Sequence, residues 1–154
     1  MLKSEQEMER PMSLAQNKQV ALEAFRVLET GDSTAADRII APDFINREAD
    51  DDPDRPDRGL RGPAGVIATS RWLTGWVSDL RFDHHEVVAE DDRVVVVLTM
   101  TGTHTGTIHG IPPTGKRFQQ HQFHLFGMRA GQIVEHSAQR DDLALLQQLG
   151  APKQ

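Results

Sequence analysis

The chain has 154 residues, 38% hydrophobic and only 5% aromatic, enough for one globular domain whose core is mainly Leu, Val, Ile and Ala. Lys plus Arg number 17 against 23 Asp plus Glu, giving a net charge of −6. No basic block offsets the repulsion from a phosphate backbone, so nucleic acid is excluded as a partner. Cysteine is absent, which removes disulfides and thiolate-held metals. The longest clean apolar run, residues 94–98, is far below the roughly 20 residues of a membrane helix. The charged opening MLKSEQEMER has no apolar stretch of a secretory signal. The expectation is a cytoplasmic single domain with no membrane partner.

Residues 1–12 read as a disordered lead, 13–150 as one domain and 151–154 as a tail. Ser13 with Gln16 three residues on is a capping box, and Leu14, Ala21, Phe25 and Leu28 then follow helical spacing up to Gly31. A short helix carrying Ala36 and Ile39 stops before Pro42, and residues 43–46 read as a strand. Residues 49–58 hold five Asp and two Pro, which predicts a solvated loop; the prolines and the missing glycine argue against a calcium hand. Residues 62–80 are again helical in period. From Arg81 onward the period is that of strands, at 81–89, 93–103, 116–128 and 132–139, before a terminal helix over 143–149. Helices first and an antiparallel meander afterwards make an α+β layout.

On the strand around residue 121, alternation puts Gln119, His121, Phe123 and Leu125 on one face, polar to apolar as in a pocket wall with a wet mouth. After the turn near Ala130, Ile133, Glu135, Ser137 and Gln139 share a face. Pairing through that turn brings Glu135 near the 121–123 region, where a Gln, a His and a Glu converge without a metal. The plainer alternative is a solvated Glu and a rim His. His104 lines the mouth or packs the glycine-rich loop after it. Asn46 donates to a substrate oxygen or forms a turn, and Trp72 and Trp76 serve as core or as substrate platform. His84 and His85, and likewise His121 and His124, diverge on their strands, so no metal site is expected.

The stretch THTGTIHGIPPTGK at 103–116, GQIVEH at 131–136, RDDLALLQQLG at 140–150, and upstream APDF at 41–44 and GPAG at 62–65 resemble, in order, the motifs of the SnoaL-like polyketide (ester) cyclases. The resemblance covers residues 14–150. It implies a cone-shaped α+β barrel in which a curved antiparallel sheet wraps the N-terminal helices around a deep pocket. It implies a cyclase that closes a polyketide ring by intramolecular aldol chemistry with no cofactor. A Gln-x-His pair on one strand and an acid fourteen residues after the His are part of the pattern. Gln119, His121 and Glu135 reproduce that spacing, with Glu in place of Asp, which moves the carboxylate by about 1.5 Å. Ser137 stands where Trp is usual.

The leading reading is thus a cofactor-independent lyase, isomerase or cyclase acting on a small hydrophobic carbonyl compound, with Glu135 as acid/base and His121 beside it. Gln119, His104, Asn46, Phe123, Trp72 and Trp76 would bind substrate. The alternatives are a non-catalytic small-molecule-binding or dimerisation module, and an epoxide hydrolase of the limonene type. Ketosteroid isomerase chemistry is a poor match because the chain has no Tyr. The β-branched row Val95, Val97, Thr99 and Thr101 on the outer sheet face predicts a homodimer.

Overall fold

The computed structural model describes residues 12–151, so the expected lead (Met12 apart) and the end of the tail lie outside the described residues. Helix α1 (Leu14–Thr30) starts at the capping box, with both reciprocal Ser13–Gln16 bonds formed, and stops at Gly31 in the left-handed region (φ 69°). Its buried stripe is Ala21, Ala24, Phe25 and Val27. Helix α2 (Ser33–Ile39) is capped by the Asp32 side chain and runs directly into strand β1 (Ile40–Asn46). Helix α3 (Arg47–Asp51) and a series of turns lead to helix α4 (Gly62–Trp76), with Pro in its first turn.

Helix α4 ends at Trp76 rather than at residue 80. Val77 and Ser78 already pair with His104 and Thr103, and the Trp76 carbonyl accepts from the N–H groups of Thr105 and Gly106. Long-range pairing overrides an apolar spacing that fits a helix equally well. Strands β2 (Val77–Glu90), β3 (Arg93–His104), β4 (Arg117–Arg129) and β5 (Gln132–Arg140) follow, then helix α5 (Asp142–Gln148). The β4–β5 turn places Ala130 and Gly131 both at positive φ, as a two-residue hairpin loop requires.

The five strands lie in the order β1-β5-β4-β3-β2, with β1 parallel to β5 and the other pairs antiparallel. Register shifts in three of these four ladders bend the sheet. Its concave face closes on α1 and α4, the open cone-shaped α+β arrangement that the resemblance implies. Val94, Val96, Leu98 and Met100 of β3 are fully buried on that face, against Phe25, Leu73 and Trp76 of the helices. The polar exceptions on the concave face are concentrated in β4, where Gln120, Gln122 and His124 lie between Phe118 and Phe126, all of them buried. No helix among the described residues is long and apolar enough to cross a membrane.

Candidate functional site

Cross-strand pairing fixes which side chains share a face. Val95, Val97, Thr99 and Thr101 on the outer face of β3 pair with Leu125, Phe123, His121 and Gln119 of β4. The expected pocket wall therefore faces outward, and the alternate set, Phe118, Gln120, Gln122, His124 and Phe126, faces the interior. Phe123 is 57% exposed. His121 Nδ1 lies 3.2 Å from Thr99 Oγ1, which also meets His85 Nε2 at 2.7 Å, all on the convex surface. The Gln119 backbone exchanges two hydrogen bonds with the Gln148 side chain, which fastens α5 to the sheet.

Counting back from the turn at 130–131 sets Glu135 opposite residues 126–127, not 121–123, and a bulge decides which face it takes. Ile133 pairs with Met128 and Glu135 with Gly127, so Val134 is the extra residue and alternation inverts across it. Ile133 points inward before the bulge; His136, Ala138 and Arg140 take the inward positions after it. Glu135 sits over Gly127 on the outer face, where its carboxylate accepts from Arg47 and is held below the usual carboxylate range by that bond. Glu135 and His121 share the convex face but do not converge.

What does converge inside is a different set. Phe25, Leu28, Phe44, Val66, Phe126 and Ile133 surround a small chamber, into which Asn46, His124, His136, Glu48 and Arg140 project. Its free volume is about 30 Å³, room for about two water molecules. The two imidazoles lie edge to edge, with ring centres 5.1 Å and planes 24° apart, and His124 Nδ1 lies 2.8 Å from His136 Nε2. His136 Nδ1 lies 3.0 Å from Asn46 Oδ1. Burial pushes both rings down: His124 falls well below its ordinary value, and His136 drops to about 4 although the nearby Glu48 carboxylate opposes the shift. Both are neutral at pH 7.

Glu48, from the first turn of α3, closes one side of the chamber. Arg140 Nη2 donates to both its oxygens at 2.7 and 3.0 Å, and Arg55 Nη1 donates to it at 2.7 Å. Burial alone would raise this carboxyl, but the arginines hold it well below the usual range, which makes it a fixed anion rather than a base. Arg55 also grips Asp57 with two bonds of 2.8 and 2.7 Å, and Asp57 accepts from Thr69. The segment expected as a solvated loop thus carries a buried ion pair, with Arg55 and Asp57 6% and 2% exposed. Asp50 of the same run pairs with Arg61 nearer the surface, so burial on both sides is what sets the Arg55–Asp57 pair apart. Outside this barrier lies a polar vestibule of about 250 Å³, lined in part by Trp72, Arg55, His109, Asp51 and Asp142.

The remaining expected residues divide accordingly. Asn46 lines the chamber, and Trp72 lines the vestibule with Arg55 stacked 3.9 Å above its ring. Trp76 is core, stacked on Phe118. His104 is fully buried and its Nδ1 accepts from the Thr114 backbone, holding the loop after β3. His124, His136, Glu48 and Arg140 were missed. A second Gln-x-His, Gln122 and His124, was the available signal. The residue fourteen after His124 is Ala138, its partner in the ladder, so a methyl group occupies the position where the resemblance implies an acid. No cluster of three or more His, Asp or Glu shaped for a metal occurs among the described residues.

Known proteins of the same build agree on the family. Nogalonic acid methyl ester cyclase of Streptomyces nogalater is 30% identical over 125 residues, 80% of this chain and 89% of that protein. Aklanonic acid methyl ester cyclase DnrD of Streptomyces peucetius is 33% identical over 94 residues, 60% of this chain and 65% of its own length. Among solved structures, TsrD of Streptomyces laurentii superposes with a TM-score of 0.79 at 27% identity, covering 92% of this chain and 100% of that one. IdmH of Streptomyces antibioticus gives 0.74 at 25% identity, covering 88% and 99%. The SnoaL-like polyketide cyclase profile matches residues 18–149, and the chain belongs to that family.

Proposed function

We propose that the protein is a cofactor-independent cyclase that closes a ring in a hydrophobic polyketide methyl ester, with His136 as general base. The observation that supports this reading is the pair of neutral, buried imidazoles in an otherwise apolar chamber beside Asn46 and Arg140. A base with a pKa of about 4 is weak, so the reaction must start from an acidic C–H, as on a carbon between two carbonyls. His136 Nδ1 takes that proton. The electron pair left on carbon forms a C–C bond to another carbonyl carbon of the same molecule, and that oxygen receives the proton. No atom is lost, so substrate and product have equal mass.

Arg140 Nε is buried with no hydrogen-bond partner and would donate to the developing enolate oxygen, together with the Asn46 amide. A donor so placed contributes about 10²-fold or more. Glu48 would balance the imidazolium as it forms. The chamber is too small for a polycyclic substrate as it stands, so in this reading only the reacting carbonyl end reaches Arg140 Nε, Glu48 stays on Nη2, and the vestibule becomes part of the site.

The test is incubation with nogalonic acid methyl ester, the compound in the Streptomyces nogalater relative's name, with chromatography for an isomeric product. His136→Gln should slow its formation by about 10²-fold; an unchanged rate would remove His136 as base. Ala138, a methyl group opposite His124, favours a second reading as a small-molecule-binding module. Saturable binding of that ester with no isomer formed would select it. Both readings take the protein as a homodimer joined through the convex sheet face.

A further inference from the structure

From α5 to the chamber runs an unbroken series of side-chain hydrogen bonds. Gln120 Nε2 donates to Asp142 Oδ1 at 2.9 Å, and Gln122 Nε2 donates to Gln120 Oε1 at 2.9 Å. Gln122 Oε1 meets His124 Nε2 at 2.7 Å, His124 Nδ1 meets His136 Nε2 at 2.8 Å, and His136 Nδ1 meets Asn46. Gln120, Gln122 and His124 are each 1% exposed or less, so water has no access to reorient them.

The direction of every link follows from its first member. A carboxylate only accepts, so Gln120 must present its NH₂ to Asp142 and its carbonyl to Gln122. Gln122 must then present its NH₂ to Gln120; the sulfur of Met100, a weak acceptor 3.5 Å away, receives the other hydrogen. The Gln122 carbonyl now faces His124, and a carbonyl only accepts, so His124 Nε2 carries the proton. A neutral imidazole has one N–H, which leaves His124 Nδ1 bare and obliges His136 to donate from Nε2. His136 Nδ1 is bare in turn.

We propose that Asp142 is a positioning residue: through the amides of Gln120 and Gln122 it fixes both imidazoles as Nε2–H tautomers and leaves the Nδ1 lone pair of His136, facing Asn46, as the one basic site of the chamber. Adding a proton at that nitrogen reverses only the last link. As placed, Asn46 turns its Oδ1 to Nδ1 at 3.0 Å, the orientation that suits the protonated ring; the neutral ring takes the NH₂ instead, after a half-turn of the amide. The His136 contact is the one side-chain hydrogen bond of Asn46 among the described residues, so nothing else opposes the turn. The charged groups around the pair are Glu48 of α3, Arg140 of β5 and, beyond them, Arg55. The His124 tautomer stands on hydrogen-bond geometry; the bare Nδ1 of His136 follows once burial keeps that ring neutral, and its catalytic meaning rests on the function proposed above.

The experiment is two-bond ¹⁵N–¹H correlation spectroscopy on the full chain labelled in histidine, at pH 7, with His124→Phe and His136→Phe for assignment. Both rings of the unsubstituted protein should show protonated Nε2 and bare Nδ1. Asp142→Ala should raise the minor tautomer of His124 by about tenfold or more, since a bond to a charged acceptor is lost. Asp142→Asn, whose carbonyl accepts the same bond, should restore it. A merely structural Asp142 would lower the melting temperature and leave the tautomers unchanged. Nδ1–H on His124 in the unsubstituted protein overturns the proposal without any variant, as does a spectrum that Asp142→Ala leaves unchanged. Correct tautomers with ring closure unaffected by His136→Gln would keep the positioning network and sink the catalytic reading.

Discussion

His136 is the residue on which the site turns, and its burial in neutral form has a cost that pH exposes. Its pKa is about 4 in the folded chain against about 6.5 unfolded, and His124 is depressed for the same reason. Between those values the unfolded chain binds more protons, so stability falls as pH falls from 6.5 towards 4, by at most about 1.4 kcal/mol per pH unit for each ring. Thermal unfolding across that range should show it, and His136→Phe should flatten the slope. Glu48 acts lower: its folded pKa is depressed too, so the stability it gives is complete above its unfolded value of about 4.5 and is lost progressively as pH falls from there towards its folded value. At this scale the sequence was only half legible. Two Gln-x-His pairs follow one another in residues 119–124, and three residues is an odd step on a strand, so one pair faces in and the other out. Spacing to Glu135 selected the outward pair. The β3–β4 register, which pairs Val95, Val97, Thr99 and Thr101 with Leu125, Phe123, His121 and Gln119, settles the faces, and the long connection between these strands hides it from the sequence.

Among the elements, the bulge in β5 and the segment after α3 decide where charge lies. Neither has a sequence signature: Val134 looks like any strand residue, and the Asp-rich run looks solvated. Arg55 and Asp57 form a pair buried on both sides, with Glu48 as a third member. Asp57→Ala would leave the guanidinium short of a partner and should destabilise the fold by about 3–5 kcal/mol, read by chemical denaturation. A loss below about 1 kcal/mol would mean that water replaces the carboxylate. Gly106 makes a sharper packing test. A Cβ there would come within 2.0 Å of the Gly75 carbonyl oxygen, which is backbone and cannot swing aside, so Gly106→Ala should cost about 1–3 kcal/mol or more. By contrast α1, its capping box, the four long strands and the β4–β5 turn were legible, because cap residues and β-branched runs act locally.

For the whole molecule, the convex sheet face carries Val88, Phe123 and Leu125 at 59%, 57% and 37% exposure, beside Val95 and Val97. An apolar patch of this kind calls for cover. Light scattering at micromolar concentration should give a dimer, and Phe123→Glu should give a monomer with an unchanged fold; a monomeric parent protein would refute the interface. In the proposed reaction, acid/base chemistry belongs to the concave chamber and not to the convex face. Deuterium uptake in D₂O at the carbon between the carbonyls of a cyclic β-keto methyl ester, followed by NMR, tests it most directly. The parent protein and Glu135→Gln should catalyse exchange alike, while His136→Gln should be slower by about 10²-fold. Exchange lost in Glu135→Gln and kept in His136→Gln would contradict the account.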